Sequence, residues 1–277
     1  MTVRVVTDST SDIPRNLAQE LGITVVPAHV LFGQETYRDR VDIDEDEFYR
    51  RLVHGSVHPT TSVPSPEDFA ATYRSLARET DEIVSVHISS RLSGTCDSAA
   101  MGARLAGGEC RVEVIDSMSM GMGLMLTAIA AARESQTGSS LGRVVGQVRQ
   151  AVLEIHNLGM ADTLKYAVKG GRVNKAYGIL GAALRIRVLL GVRDGNVFLW
   201  GMARTRARAL ESLYEFALSF PKVKEIALGY ATEYDDAKAL SERLRAAFPE
   251  APIYVARVGP AVGAYGGPGA MGIGIRE

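Results

Sequence analysis

Cysteine is almost missing from this chain. Cys96 and Cys110 are the only two in 277 residues, too few for a secreted disulfide framework. An excess of either charge is missing as well: 31 Lys and Arg face 32 Asp and Glu, and the resulting net charge of −1 counts against wholesale nucleic-acid binding. There is no long apolar run. The uncharged stretch from Ser117 to Ala132 has 16 residues, short of the ~20 needed to span a bilayer. The opening Met1-Thr2-Val3-Arg4-Val5-Val6-Thr7-Asp8 passes straight into a strand pattern without a leader's apolar stretch. Together these absences predict a cytoplasmic protein with no membrane insertion and no nucleic-acid partner.

Catalytic signatures are lacking too. No Gly-x-Ser-x-Gly elbow joins a strand to a helix, so a hydrolase serine is unsupported. No phosphate-binding Gly-x-x-x-x-Gly-Lys-Ser/Thr loop is present, and no Gly-x-Gly-x-x-Gly turn leads from a strand into a helix. His54 and His58 have the spacing of metal ligands on a helix, but Gly55 and Pro59 interrupt it. The expectation is no catalytic residue, no cofactor and no metal.

What the chain does have is hydroxyl groups, gathered in four segments that each follow a strand pattern and precede a helix pattern. They are Asp8-Ser9-Thr10-Ser11, Thr60-Thr61-Ser62-Val63-Pro64-Ser65, Ser89-Ser90-Arg91-Leu92-Ser93-Gly94-Thr95 and Asp116-Ser117-Met118-Ser119. Such residues are ordinary helix caps. They also suit an anion, because the first amides of a helix lack intrahelical partners and carry partial positive charge. Thr61 and Ser93 are the leading head-group candidates, each beside a helix entrance and a small or flexible neighbour. Neither has a base to turn it into a nucleophile. His87, at a strand end, fits either of two roles: orienting a hydroxyl or serving as a structural residue.

Alternating patterns place strands at Val3–Thr7, Glu82–Ile88 and Arg111–Ile115, an apolar run at Ile23–Phe32, and helices at Pro14–Leu21, Asp42–His54, Thr95–Ala106 and Met120–Glu134. Ser65-Pro66-Glu67-Asp68 is a further helix start. The class is α/β: a mostly parallel sheet with helices on both faces, whose ligands sit beyond the carboxyl ends of the strands. Length favours two domains at about 150 residues each, and Gln136-Thr137-Gly138-Ser139-Ser140 punctuates the chain before a helix reaching His156. The expected division is residues 1–156 as the α/β domain carrying the hydroxyl segments and 157–277 as an α+β domain. In the latter, Arg193-Asp194-Gly195-Asn196 should turn a hairpin between Ile186–Val192 and Val197–Met202. Residues 259–269 read as a glycine loop before a last strand.

Two features have double readings. Met118, Met120, Met122 and Met125 are either core packing or a pliable wall for an alkyl chain, and Ile179, Leu180 and Leu184 are open to the same pair of readings. Ten basic residues between Thr163 and Arg208, with Asp194 the only acid, form either a solvated face or a docking face for an acidic partner.

Taken in order, the motifs resemble the DegV family of bacterial fatty-acid-binding proteins, which includes the B subunits of fatty-acid kinase. The matching stretches are Val6 to Pro14, Thr61-Ser62-Val63-Pro64-Ser65, Leu92-Ser93-Gly94-Thr95, Ile115-Asp116-Ser117, Asp162-Thr163-Leu164-Lys165-Tyr166, Gly170-Gly171-Arg172-Val173 and the final glycine segment. The resemblance implies a long-chain fatty acid in an apolar tunnel between two domains. Its carboxylate would be held by Thr61 and Ser93, with Ser62, Gly94 and Tyr265 alongside. It implies a carrier rather than an enzyme: a separate ATP-dependent kinase makes the acyl phosphate, and Arg172 engages that partner. Tyr265 departs from the family's usual histidine; a phenol still donates a hydrogen bond but does not become a cation near neutral pH. The rival reading from the residues alone is an enzyme acting on a phosphorylated or acidic metabolite in the same cradle.

Overall fold

A computed structural model describes residues 2–108, 110–171 and 186–277. Its first sheet is wholly parallel and four-stranded. It runs in the order β2 (Ile23–Val26), β1 (Arg4–Asp8), β6 (Glu82–His87) and β7 (Arg111–Asp116). Parallel strands buried on both faces need apolar side chains on both, which Val5, Val6, Ile83, Val84 and Val86 supply. One face is covered by α3 (Pro66–Ala77) and α4 (Thr95–Leu105), packing Phe69, Tyr73 and Ala99 onto Val6 and Ile83. The other meets α1 (Arg15–Leu21), α5 (Met122–Gln136) and α6 (Leu141–Glu154). Local signals fix several helix starts. Asp44 accepts the Glu47 amide ahead of α2 (Glu45–His54), and Ser65 and Asp68 form a reciprocal capping box on α3.

The run Ile23–Phe32 is not one strand. It breaks at Pro27-Ala28, sending β2 into the parallel sheet and β3 (His29–Phe32) into a small antiparallel sheet with β4 (Glu35–Arg38) and β5 (Thr60–Ser62). Thr61 therefore lies on a strand, paired with Val30, rather than in a loop.

The third sheet is six-stranded and mixed. Its order is β10 (Asn196–Ala203), β9 (Arg187–Arg193), β8 (Ile155–Ala161), β13 (Met271–Arg276), β11 (Glu225–Tyr230) and β12 (Ile253–Arg257). The β9–β10 hairpin turns at Asp194-Gly195, both with positive φ (50° and 74°), as a two-residue turn requires. On the central strands large and small residues alternate. Leu158, Met160, Ile226, Leu228, Met271 and Ile273 pack with α8 (Arg206–Leu218) and α9 (Tyr234–Ala247). The opposite face carries Gly159, Gly272 and Gly229, aligned in register across β8, β13 and β11.

Between this nearly bare face and the parallel sheet runs α5. Twelve of its fifteen residues are buried, and it touches β1 and β6 of one sheet and β8, β11 and β13 of the other. Residues 259–269 are not all loop. Pro260–Gly266 forms the short helix α10, because proline suits the first turn and Pro260, Ala261 and Ala264 pack inward; only Gly267-Pro268-Gly269 and Ala270 link it to β13. Among the described residues no helix is long and apolar enough to cross a membrane.

Candidate functional site

A cavity of ≈ 330 Å³ lies between the two large sheets. Its bare floor explains why it exists. A Cβ added at Gly159 or Gly272 would meet only backbone atoms at 3.5 Å or beyond, so both positions open into space. Gly229 is instead covered by the flexible Met122 side chain. Apolar groups supply most of the wall, including Val63, Ile88, Leu92, Met120, Met122, Leu190, Val192, Val258 and Val262. The methionines thus divide: Met120 and Met122 line the cavity, whereas Met125 is core. Only Met122 and Met125 of the four lie on α5; Met118 and Met120 precede it.

Polar groups enter from the segments that the sequence singles out. Thr10, Thr61, Ser62, Ser93 and Thr95 all line the cavity, as do Asn157 and Tyr265. Thr61 Oγ1 and the Tyr265 hydroxyl share a hydrogen bond, and Ser93 Oγ pairs with Thr95 Oγ1 at 2.8 Å. Gly94 does not line the cavity; it is the residue before α4. Arg172, Ile179, Leu180 and Leu184 lie outside the described residues. No lysine, arginine or histidine lines the cavity among the described residues. An acidic head group here would meet neutral donors, each worth about 1.5–3 kcal/mol to a charged acceptor.

Tyr265 is seated by a glycine. A Cβ at Gly170 would come 2.2 Å from the Tyr265 ring, so the glycine that ends α7 (Lys165–Lys169) also admits that ring. α10 carries Tyr265 and is held at its start by Asp12, whose Oδ1 accepts the Gly259 amide at 2.8 Å. The sequence reading missed Thr10, which stands in its first hydroxyl segment, and Asp12, which directly follows that segment, as cavity residues.

The family model described as "Uncharacterised protein, DegV family" matches residues 2–277. The chain belongs to the DegV family. Among solved structures it is similar to a DegV family protein of Thermus thermophilus described for its fatty-acid binding (32% identical, TM-score 0.90, all of both chains covered). It is also similar to DegV of Bacillus subtilis, described as a fatty acid binding protein (28%, TM-score 0.89, all of both chains). At 22% identity it shares its fold with the fatty acid kinase B3 protein of Streptococcus pneumoniae, solved with linoleic acid (TM-score 0.88, 100% and 99% covered).

Two features of this DegV-family fold imitate catalytic machinery. The first is a serine–histidine–aspartate chain: Ser85 Oγ lies 2.7 Å from His87 Nε2, and His87 Nδ1 lies 3.0 Å from Asp8 Oδ2. All three side chains are buried, Ser85 also bonds the Tyr73 hydroxyl at 2.9 Å, and neither Ser85 nor His87 lines the cavity. With no substrate access, the chain is structural and ties β1 to β6. Burial works to raise the Asp8 carboxyl, but bonds from His87, Thr10 and the Ile88 amide outweigh it and hold it below the ordinary range. Thr10 is thereby fixed at the cavity edge.

The second is motif spacing without context. Gly138-Ser139-Ser140-Leu141-Gly142 has the elbow pattern, yet Ser140 is exposed between two helices. Gly267-Pro268-Gly269-Ala270-Met271-Gly272 has the dinucleotide pattern but leads from a helix into a strand. No group of three metal-ligating side chains occurs among the described residues. The basic block is partly neutralised: Arg187 pairs with Asp162, Arg206 with Asp162 and Asp236, and Arg208 with Glu215.

Proposed function

We propose that the cavity binds one long-chain fatty acid, tail along the glycine floor and carboxylate among Thr61, Ser62, Ser93 and Tyr265. The observation that carries this reading is the union of a bare, apolar slot with uncharged hydroxyls in one enclosure. A phosphorylated metabolite would find little to hold in so apolar a lining, and no cation among the described residues to balance its charge. The descriptions of the Thermus thermophilus and Bacillus subtilis proteins support the same ligand. Burying ~14 methylenes at about 0.8 kcal/mol each gives roughly 11 kcal/mol of gross driving force, partly offset by lost translational and rotational freedom. The tail therefore governs affinity, and the hydroxyls govern position.

We extend the reading to a carrier that presents the carboxylate to a separate ATP-dependent kinase, with Arg172 at the contact and no catalysis of its own. The name of the Streptococcus pneumoniae neighbour motivates that extension. The division into domains 1–156 and 157–277, with the ligand between them, belongs to the same proposal. Extraction of the purified protein with organic solvent, followed by mass spectrometry, should release fatty acids; a lipid-free extract from protein that also refuses added palmitate refutes the reading. In a kinase-coupled assay, Ser93→Ala should cut acyl-phosphate formation by about tenfold or more while leaving retention within a few-fold, because in-line transfer needs the attacking oxygen held in place. Equal losses in both would reject the carrier's positioning role.

A further inference from the structure

α10 is only seven residues long, yet Ala261, Val262, Tyr265 and Gly266 on it form part of the cavity wall. Its first turn is gripped from the far end of the chain. Asp12, in the segment after β1, accepts the Gly259 amide. Asp39, in the segment after β4, is buried beside that turn, and neither of its carboxyl oxygens has a hydrogen-bond partner among the described residues. Both carboxyls are 1% exposed. Gly259 is pressed so closely that a Cβ there would stand 3.1 Å from both Asp12 Oδ1 and Arg40 Cδ.

The charges around this grip do not balance. Arg40 is the cation beside the pair, but its guanidinium is bound to Glu45 of α2 at 2.7 Å and also donates to the Ile13 carbonyl. From α2, Tyr49 donates its hydroxyl to the Val258 carbonyl at 3.0 Å, and Asp46 binds Arg257 of β12 at 2.7 Å. Asp12, Asp39 and Glu45 thus present three carboxyls to one guanidinium, and neither Asp12 Oδ2 nor either Asp39 oxygen has a hydrogen-bond partner among the described residues. A buried site with surplus acid takes up a proton rather than a second negative charge.

We infer that Asp12 and Asp39 are positioning residues for the ligand head group: protonated, they seat α10 and hold Tyr265 on Thr61, and ionised, they loosen it. The inference rests on the fatty-acid reading for its ligand but not for its motion. Burial, acting against Arg40 and the backbone amides, lifts the Asp12 carboxyl well above the ordinary range and Asp39 up to about 7. Head-group contact is then firm near pH 6 and weakens as Asp39 ionises toward pH 8.

The test compares the full-length protein with Asp39→Asn and Tyr265→Phe between pH 6 and 8. One readout is the palmitate dissociation rate. The other, which needs no ligand, is amide exchange of residues 259–267 corrected for intrinsic rates. In the parent, palmitate release should accelerate by about tenfold, the equivalent of one pKa unit, and exchange should rise in parallel. Asp39→Asn, an isostere of the protonated acid, should flatten both profiles at the slow level. Tyr265→Phe should flatten release while leaving the exchange step. A parental exchange profile without a step overturns the inference, and so does a step that survives in Asp39→Asn. An exchange step in a parent that retains no palmitate at any pH refutes the fatty-acid reading and upholds the proton-linked seating of α10.

Discussion

The side chains with the most perturbed chemistry are not the hydroxyls that face the cavity but the acids behind them. Asp39 has a stability consequence whose sign is fixed. Its carboxyl titrates near 3.9 when unfolded and at about 7 when folded. Between those values the folded chain holds the extra proton, so stability falls as pH rises from about 4 to 7 and is level above. Asp12 acts in the same direction. Asp8 acts oppositely: its depressed carboxyl contributes stability that is lost in acid. Asp39→Asn should therefore match the parent near pH 4 and exceed it at pH 8. The gain is at most about 4 kcal/mol at roughly 1.4 per pKa unit, read from urea midpoints at the two pH values. A mutant no more stable than the parent at pH 8 would contradict the burial of a proton there.

At the scale of elements, the floor of the cavity is the feature most open to manipulation. Gly159 and Gly272 face space, so a side chain at either intrudes on the cavity, and on the ligand proposed for it, rather than on the fold. Gly159→Leu should keep its fold, as judged by circular dichroism and melting temperature. It should weaken palmitate binding by tenfold or more, the usual scale for a misplaced methyl or two in an apolar pocket. A short acid such as octanoate should suffer less; equal losses for both lengths would place the tail elsewhere. Much of the architecture was legible in the sequence, since β1, β6, β7, the Asp194-Gly195 hairpin and the capped helices rest on local patterns. The breaks in that reading have long-range causes. Ile23–Phe32 looks continuous because both halves are apolar, and only pairing with different sheets separates them. The helix at Pro260–Gly266 was hidden by its two glycines and is stabilised by Asp12, about 250 residues away. The alternation Leu158-Gly159-Met160 and Met271-Gly272-Ile273 did carry the signal for a one-sided strand, but which side was bare depended on the register of three strands.

At the scale of the whole molecule, a ligand between the sheets should act as a stabiliser. Removing bound lipid and then adding it back at about 100 times Kd should restore roughly 2.7 kcal/mol and raise the melting temperature accordingly. An unchanged melting curve would show that the lipid does not prefer the folded state. The position of β13 has another consequence, for truncation. This strand is the last in chain order among the described elements, yet it sits in the middle of its sheet, between β8 and β11. Without Met271–Arg276, β8 and β11 lack the strand that joins them and α5 loses part of its cover. A chain truncated before Met271 should therefore expose unpaired strand edges and apolar surface, and be a client of chaperones and proteases rather than a smaller folded protein.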